Sequence, residues 1–169
     1  VQFAHYDPNV ASLMQLGKWF DYMRENGVYD NTRIILVADH GRGLYLNWDR
    51  VIDNGPDTDF FFPLLMVKDF NAKGFSFSDT FMTTADVPTL ATSGLIDNPT
   101  NPFTGNAINA NAKYDRPFYA VMSYDWDTSK NNGNQFFPGT WYRVDNQNAR
   151  DKRNWVMVGE NTVLPDALR

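Results

Sequence analysis

Arg33-Ile34-Ile35-Leu36-Val37-Ala38-Asp39-His40-Gly41-Arg42-Gly43 is the stretch on which the reading of the fold turns. Ile34 to Ala38 are consecutive apolar residues, rich in β-branched side chains, between a charge and a turn. A strand buried on both faces of a sheet reads this way. It delivers Asp39 and His40 to its carboxyl end, the edge at which open α/β sheets bind ligands. Side chains leave an extended backbone on alternate sides, so these two share one cation only if the chain bends here. Gly41 and Gly43 permit such a bend. A carboxylate with an imidazole is a borderline donor set, better suited to zinc, manganese or iron than to calcium. Two donors are too few for a divalent site, so one or two further anionic or imidazole groups must come from elsewhere. The competing reading makes Asp39 a turn cap and His40 a pocket filler.

Upstream of this stretch, Pro8 disfavours helix at Asp7 and leaves Asn9 as the N-cap of a helix running to about Asn26. Val10, Leu13, Leu16, Phe20 and Met23 recur at helical spacing, and Trp19 and Tyr22 widen the stripe, which predicts a helix packed hard against the sheet. Gly27 ends it as a left-handed cap. Val28 to Thr32 is a turn, and helix, turn and strand in that order describe a parallel α/β layer. His5, a few residues before the helix, reads either as a ligand or substrate contact or as a surface residue near the terminus.

Downstream, residues 41 to 59 form a long loop, and loops of that length inside a compact domain tend to be functional. It carries Arg42, Tyr45, Trp48, Asp49, Arg50, Asp53, Asp57 and Asp59. The Arg42 guanidinium, two residues from His40, either holds a phosphate or sulfate oxygen bidentately or pairs with Asp57 or Asp59. Phe62 to Lys68 reads as a second buried strand of the same sheet. Phe75-Ser76-Phe77-Ser78 alternates with a period of two, as a short half-exposed strand or an extended connection does. Thr83 or Thr84 caps a short helix with Asp86 and Pro88 in its first turn, ending at about Ser93 before Gly94. Capping accounts for Thr83, Thr84 and Asp86, which otherwise imitate a nucleophile and its base. Residues 97 to 116 are loop. Phe118 to Tyr124, Trp141 to Val144 and Trp155 to Val158 predict an antiparallel meander, with residues 127 to 139 as a turn or excursion.

The length of 169 residues suits one domain with its own core, and a hydrophobic share of 43% against 21% charged is that of a globular protein. A net charge of −5 with no basic cluster opposes binding to nucleic acid or to an anionic membrane surface. The absence of cysteine excludes disulfides, thiolate ligands and a thiol nucleophile within the chain. The longest apolar run, Phe60 to Val67, is interrupted by Pro63 and falls far short of the roughly 20 residues that span a bilayer. With Val1 in place of an initiator methionine and no signal-like segment, the chain reads as a piece of a longer protein.

Taken together, "ENGVYDNTRIILVADHG", "FFFPLLMVKDF" and "TADVPTLATSGLIDNPTNPFTG" resemble the later half of a sulfatase-type member of the alkaline phosphatase superfamily. The resemblance covers about residues 9 to 108 and rests on segments matching in order. It is narrower for the membrane-anchored branch that includes lipoteichoic acid synthases and phosphoglycerol or phosphoethanolamine transferases. What it implies is an α/β/α sandwich with a mostly parallel sheet, residues 1–112 being its C-terminal half and residues 113–169 a smaller antiparallel β-rich region packed on it. It implies an extracytoplasmic bacterial enzyme, anchored to the membrane through parts absent here, with this piece itself soluble. A divalent metal (Mn, Zn, Mg or Ca) is then held by Asp39 and His40 with an acidic residue and the nucleophile of the first half. Arg42 and His5 are the candidate substrate contacts, and the substrate is a phosphate or sulfate ester of a lipid head group or glycan. Lacking the first half, the piece is expected to be inactive alone. The competing function is a non-catalytic envelope module that stacks glycan on exposed aromatics, with Trp141/Tyr142 and Tyr124/Trp126 as the candidate pairs.

Overall fold

A computed structural model of the chain describes residues 6–43, 47–123 and 137–168. Its backbone is mixed, with two α-helices and two small antiparallel sheets among the described residues. It divides into two compact units, one holding the chain to Leu36 with Leu65–Asp79, the other Val37–Leu64 with Thr80 onward.

In the first unit, helix α1 spans Tyr6–Glu25, starting before the Asn9 cap expected from Pro8. Pro8 falls in the first helical turn, where its missing N–H has no intrahelical acceptor to lose, so the ring is tolerated. The other end follows the sequence closely. Gly27 is left-handed at φ +68°, the Val28 N–H reaches Met23 O at 3.0 Å, and the Gly27 N–H reaches Arg24 O at 3.0 Å, which together form a Schellman stop. Just beyond it, the Tyr29 ring lies between the Arg24 guanidinium at 4.2 Å and the Lys68 ammonium at 4.3 Å, with the Phe20 ring edge-on at 5.8 Å. These contacts tie the helix end to the strands that follow. Hard packing along the whole stripe is not observed: Met23 is buried, while Leu13, Met14, Trp19 and Tyr22 are exposed.

Strand β1 (Ile34–Val37) pairs with β2 (Leu65–Lys68). The predicted partnership holds, but its direction does not. The Ala38 N–H donates to Leu64 O at 3.0 Å beyond one end, and Arg33 bonds Asp69 at 2.9 Å at the other, so the strands run antiparallel. A parallel pair needs a crossover long enough to return to the same end of the sheet. Residues 38–64 instead fold back through two 3-10 turns, Trp48–Arg50 and Thr58–Phe61. Nor are the strands buried on both faces. Ile34, Ile35 and Leu36 are half-buried, and Val37, Met66 and Val67 are exposed. Beyond β2, Phe75 and Phe77 lie in an extended connection rather than a strand, edge to face at 5.0 Å and both exposed.

The second unit is built on the antiparallel meander β3 (Phe118–Met122), β4 (Gly139–Val144) and β5 (Trp155–Thr162), in that order. Its core is Ile52, Tyr142, Val144 and Trp155, with Phe61 and Phe118 packed against it. Trp155 sits at the centre, 4.9 Å from the Phe61 ring, 6.0 Å from Tyr142 and 6.3 Å from Phe118. Ile52 and Phe61 carry the 47–62 loop into this core. Helix α2 (Val87–Thr92) follows a 3-10 turn at Thr84–Asp86 and stops before Gly94, which is left-handed at φ +71°. The Asp86 carboxylate accepts from the Thr83 N–H at 2.7 Å and from Lys113 Nζ at 3.0 Å, the capping role the sequence assigns it. Several turns across both units place asparagine in the left-handed region, among them Asn54 at φ +57° and Asn71 at φ +54°.

Candidate functional site

Asp39 and His40 lie just past β1, within the second unit, and the chain bends at Asp39 as a shared site requires. The bend brings the two side chains to the same side. Asp39 Oδ1 accepts from the His40 N–H at 2.9 Å and stands 3.9 Å from His40 Nε2. Both side chains are open to solvent, 90% for Asp39 and 66% for His40, so His40 fills no pocket, while Asp39 does take a backbone N–H as the competing turn-cap reading has it. The other ring nitrogen is engaged: His40 Nδ1 lies 2.6 Å from Gly41 O. A carbonyl only accepts, so Nδ1 is the donor in this contact, and Nε2 is the ring nitrogen that the backbone does not engage. An imidazole fixed through one nitrogen by a backbone carbonyl is the arrangement in which the other nitrogen ligates a cation.

The glycines after the pair act differently from expectation. Neither Gly41 nor Gly43 has a positive φ. What they supply is room. A Cβ on Gly41 would stand 2.0 Å from Asp59 O and 2.6 Å from Phe62 O, and one on Gly43 would stand 2.4 Å from the Phe60 ring. The Gly41 N–H donates to Phe60 O at 2.9 Å, so the pair's loop is pressed against the 3-10 turn Thr58–Phe61.

That turn is itself held from several directions. Asp57 caps it, its Oδ1 accepting from the Asp59 N–H at 2.9 Å, and the Asp59 carboxylate meets Arg50 at 2.5 Å. The sequence leaves Asp57 or Asp59 open as an alternative partner for Arg42, but Asp57 is buried and Asp59 pairs with Arg50. Arg42 is exposed and forms no ion pair among the described residues. Arg50 and Asp59 were visible in the loop only as charges. The sign of their role is the Asp-x-Asp spacing of Asp57 and Asp59, which makes an Asx-type cap. His5 and Tyr45 lie outside the described residues. The Thr58 hydroxyl is buried with no hydrogen-bond partner among the described residues.

Asp39 and His40 together offer one carboxylate and one imidazole, two donors where a divalent cation needs more. Among the described residues no group of three or more histidine, aspartate or glutamate side chains completes the set. The basic residues of the 150–153 loop are spoken for in part, Lys152 by Asp53 at 3.3 Å and Arg153 by Asp151 at 2.6 Å. Arg153 also draws the half-buried Asp151 carboxyl down to a pKa of about 2. One aromatic pair that the competing glycan-binding function would use is otherwise engaged. Tyr142 is 4% exposed in the core, and the Trp141 indole N–H donates to Thr162 O at 3.0 Å. Tyr124 and Trp126 lie outside the described residues. No helix among the described residues is long and apolar enough to cross a membrane. No protein-family model, curated protein or solved structure matches the chain.

Proposed function

We propose that this chain is the C-terminal half of a metal-dependent, sulfatase-like hydrolase or phosphoglycerol- or phosphoethanolamine-type transferase acting on phosphate or sulfate esters at the bacterial cell envelope. The observation that carries the reading is the pairing of Asp39 and His40 on one side of a bend, with Nδ1 tied to Gly41 O and Nε2 3.9 Å from the Asp39 carboxylate. Three ordered segments resemble that superfamily, the first containing the pair and the others following it. The half-open faces of β1 and β2 support it too, because strands of this apolar composition are at home in a wider, covered sheet such as the α/β/α sandwich of that family.

In this reading Asp39 and His40 contribute two donors to a divalent site, and the upstream half contributes the acidic ligand and the nucleophile. A bound divalent cation supplies activation of the nucleophile and neutralisation of charge on the ester oxygens. Arg42, exposed beside the pair, is the candidate to hold a second oxygen of the phosphate or sulfate group. His5 is retained as a further substrate contact.

The test is His40→Ala in the intact protein, assayed for metal-dependent release of phosphate or sulfate from aryl and glycerol esters. Turnover falls by at least about a hundredfold if His40 is a ligand, in line with losses on removing groups central to metal-assisted catalysis. Unchanged turnover overturns the reading. The 169-residue chain alone is expected to release neither product.

A further inference from the structure

Resting on the reading of Asp39 and His40 as cation ligands, we propose that Arg50 and Asp59, which contact neither side chain, are the positioning residues that set which imidazole nitrogen faces the cation. Their 2.5 Å ion pair joins the 3-10 turn Trp48–Arg50 to the 3-10 turn Thr58–Phe61. Residue 59 is the keystone of the second turn. Its carboxylate is held by Arg50, its N–H by the Asp57 carboxylate at 2.9 Å, and its carbonyl abuts Gly41 so closely that no side chain fits there. The neighbouring Phe60 carbonyl takes the Gly41 N–H at 2.9 Å. Gly41 is thus held at its N–H and crowded at its Cα, and its carbonyl, in the next peptide along, is what Nδ1 of His40 donates to at 2.6 Å.

The chain of contacts has a chemical consequence. Free neutral imidazole in a peptide favours the proton on Nε2, which would point an N–H where a cation has to bind. The Gly41 carbonyl reverses that preference, and it can do so only while the turn beneath it stays in place. An exposed ring such as His40 has no packing to hold it otherwise. Loosening the Arg50–Asp59 latch therefore frees the Gly41 peptide to rotate and returns the ring to its intrinsic tautomer, without removing a single donor.

The experiment needs neither metal nor substrate. In the 15N-labelled 169-residue chain carrying His5→Gln, so that His40 is the sole histidine, long-range 1H–15N correlation at about pH 8 reads the tautomer of the neutral ring directly. The expected result is the Nδ1–H pattern with Arg50 and Asp59 intact, and a shift to the Nε2–H or exchange-averaged pattern in Arg50→Ala and in Asp59→Ala. Arg50→Asp combined with Asp59→Arg, which restores the ion pair reversed, is expected to recover the Nδ1–H pattern. Backbone amide shifts of β3, β4 and β5 serve as the fold control, and a variant that perturbs them is replaced by Arg50→Gln or Asp59→Asn. An Nε2–H pattern with the latch intact, or an Nδ1–H pattern that survives its removal in a folded variant, overturns the proposal. Neither outcome bears on His40→Ala turnover in the intact protein, so failure of the positioning role and failure of the cation reading are told apart.

Discussion

At the scale of single residues, Thr58 shows how tightly the loop beneath the Asp39–His40 pair is built. Its hydroxyl is fully buried in the 3-10 turn Thr58–Phe61 and finds no partner among the described residues. A buried polar atom without a hydrogen bond forfeits its hydration, which costs about 1–3 kcal/mol. Thr58→Val keeps the branched shape and removes that cost, so it is expected to raise unfolding stability by about 1 kcal/mol in urea titration. A loss of similar size would mean that the hydroxyl has an acceptor after all. The same neighbourhood explains why Gly41 and Gly43 could be picked out from sequence but their purpose could not. A glycine needed for a left-handed turn and one needed for close approach look alike in the sequence, and only the position of the Asp59 and Phe62 carbonyls separates them.

Among the elements, the turn into α2 offers the clearest electrostatic prediction. Burial alone would raise the Asp86 carboxyl, but the Thr83 N–H and the Lys113 ammonium together hold it below its ordinary value. A carboxyl whose folded pKa lies below the unfolded one adds stability that is fully present above the usual carboxylate value. That stability is lost as pH falls from about 3.8 through the lower folded value. Asp86→Ala is therefore expected to cost about 1–2 kcal/mol near neutrality and markedly less at about pH 3, measured as the difference in urea midpoint from the parent chain. A difference that stays constant with pH would remove the ionised cap from the account. This element was legible in advance because its signals are local, a threonine, an acid three residues on and a proline in the first turn. The meander was legible for the same reason, its β-branched and aromatic runs needing only their neighbours in sequence. What could not be read locally was the direction of β2, which depends on how residues 38–64 return, and the start of α1, where Pro8 is a breaker in the interior of a helix but harmless in its first turn.

For the whole molecule, the contrast between the units matters most. The second has an aromatic core around Trp155, whereas the first leaves much of α1 and the outward residues of β1 and β2 in water. Large exposed apolar areas mark surfaces meant to be covered, and the proposed sandwich is a structure that would cover them. The reliance on asparagine at left-handed turns has a different consequence, one that concerns time. Asn54 is followed by Gly55, the sequence in which a backbone nitrogen most readily attacks the preceding amide carbon, expelling ammonia to leave a succinimide that water opens to aspartate or isoaspartate. In the folded chain the attacking nitrogen is occupied, its N–H bonded to Ile52 O at 2.8 Å, so the chemistry must wait for the turn to open. Isoaspartate at position 54, followed by peptide mass spectrometry through weeks of storage, is thus expected to accumulate several-fold faster in mild denaturant than in buffer. Equal rates would show that the turn gives its nitrogen no shelter; unequal ones make this side chain a chemical clock for how often the loop comes undone.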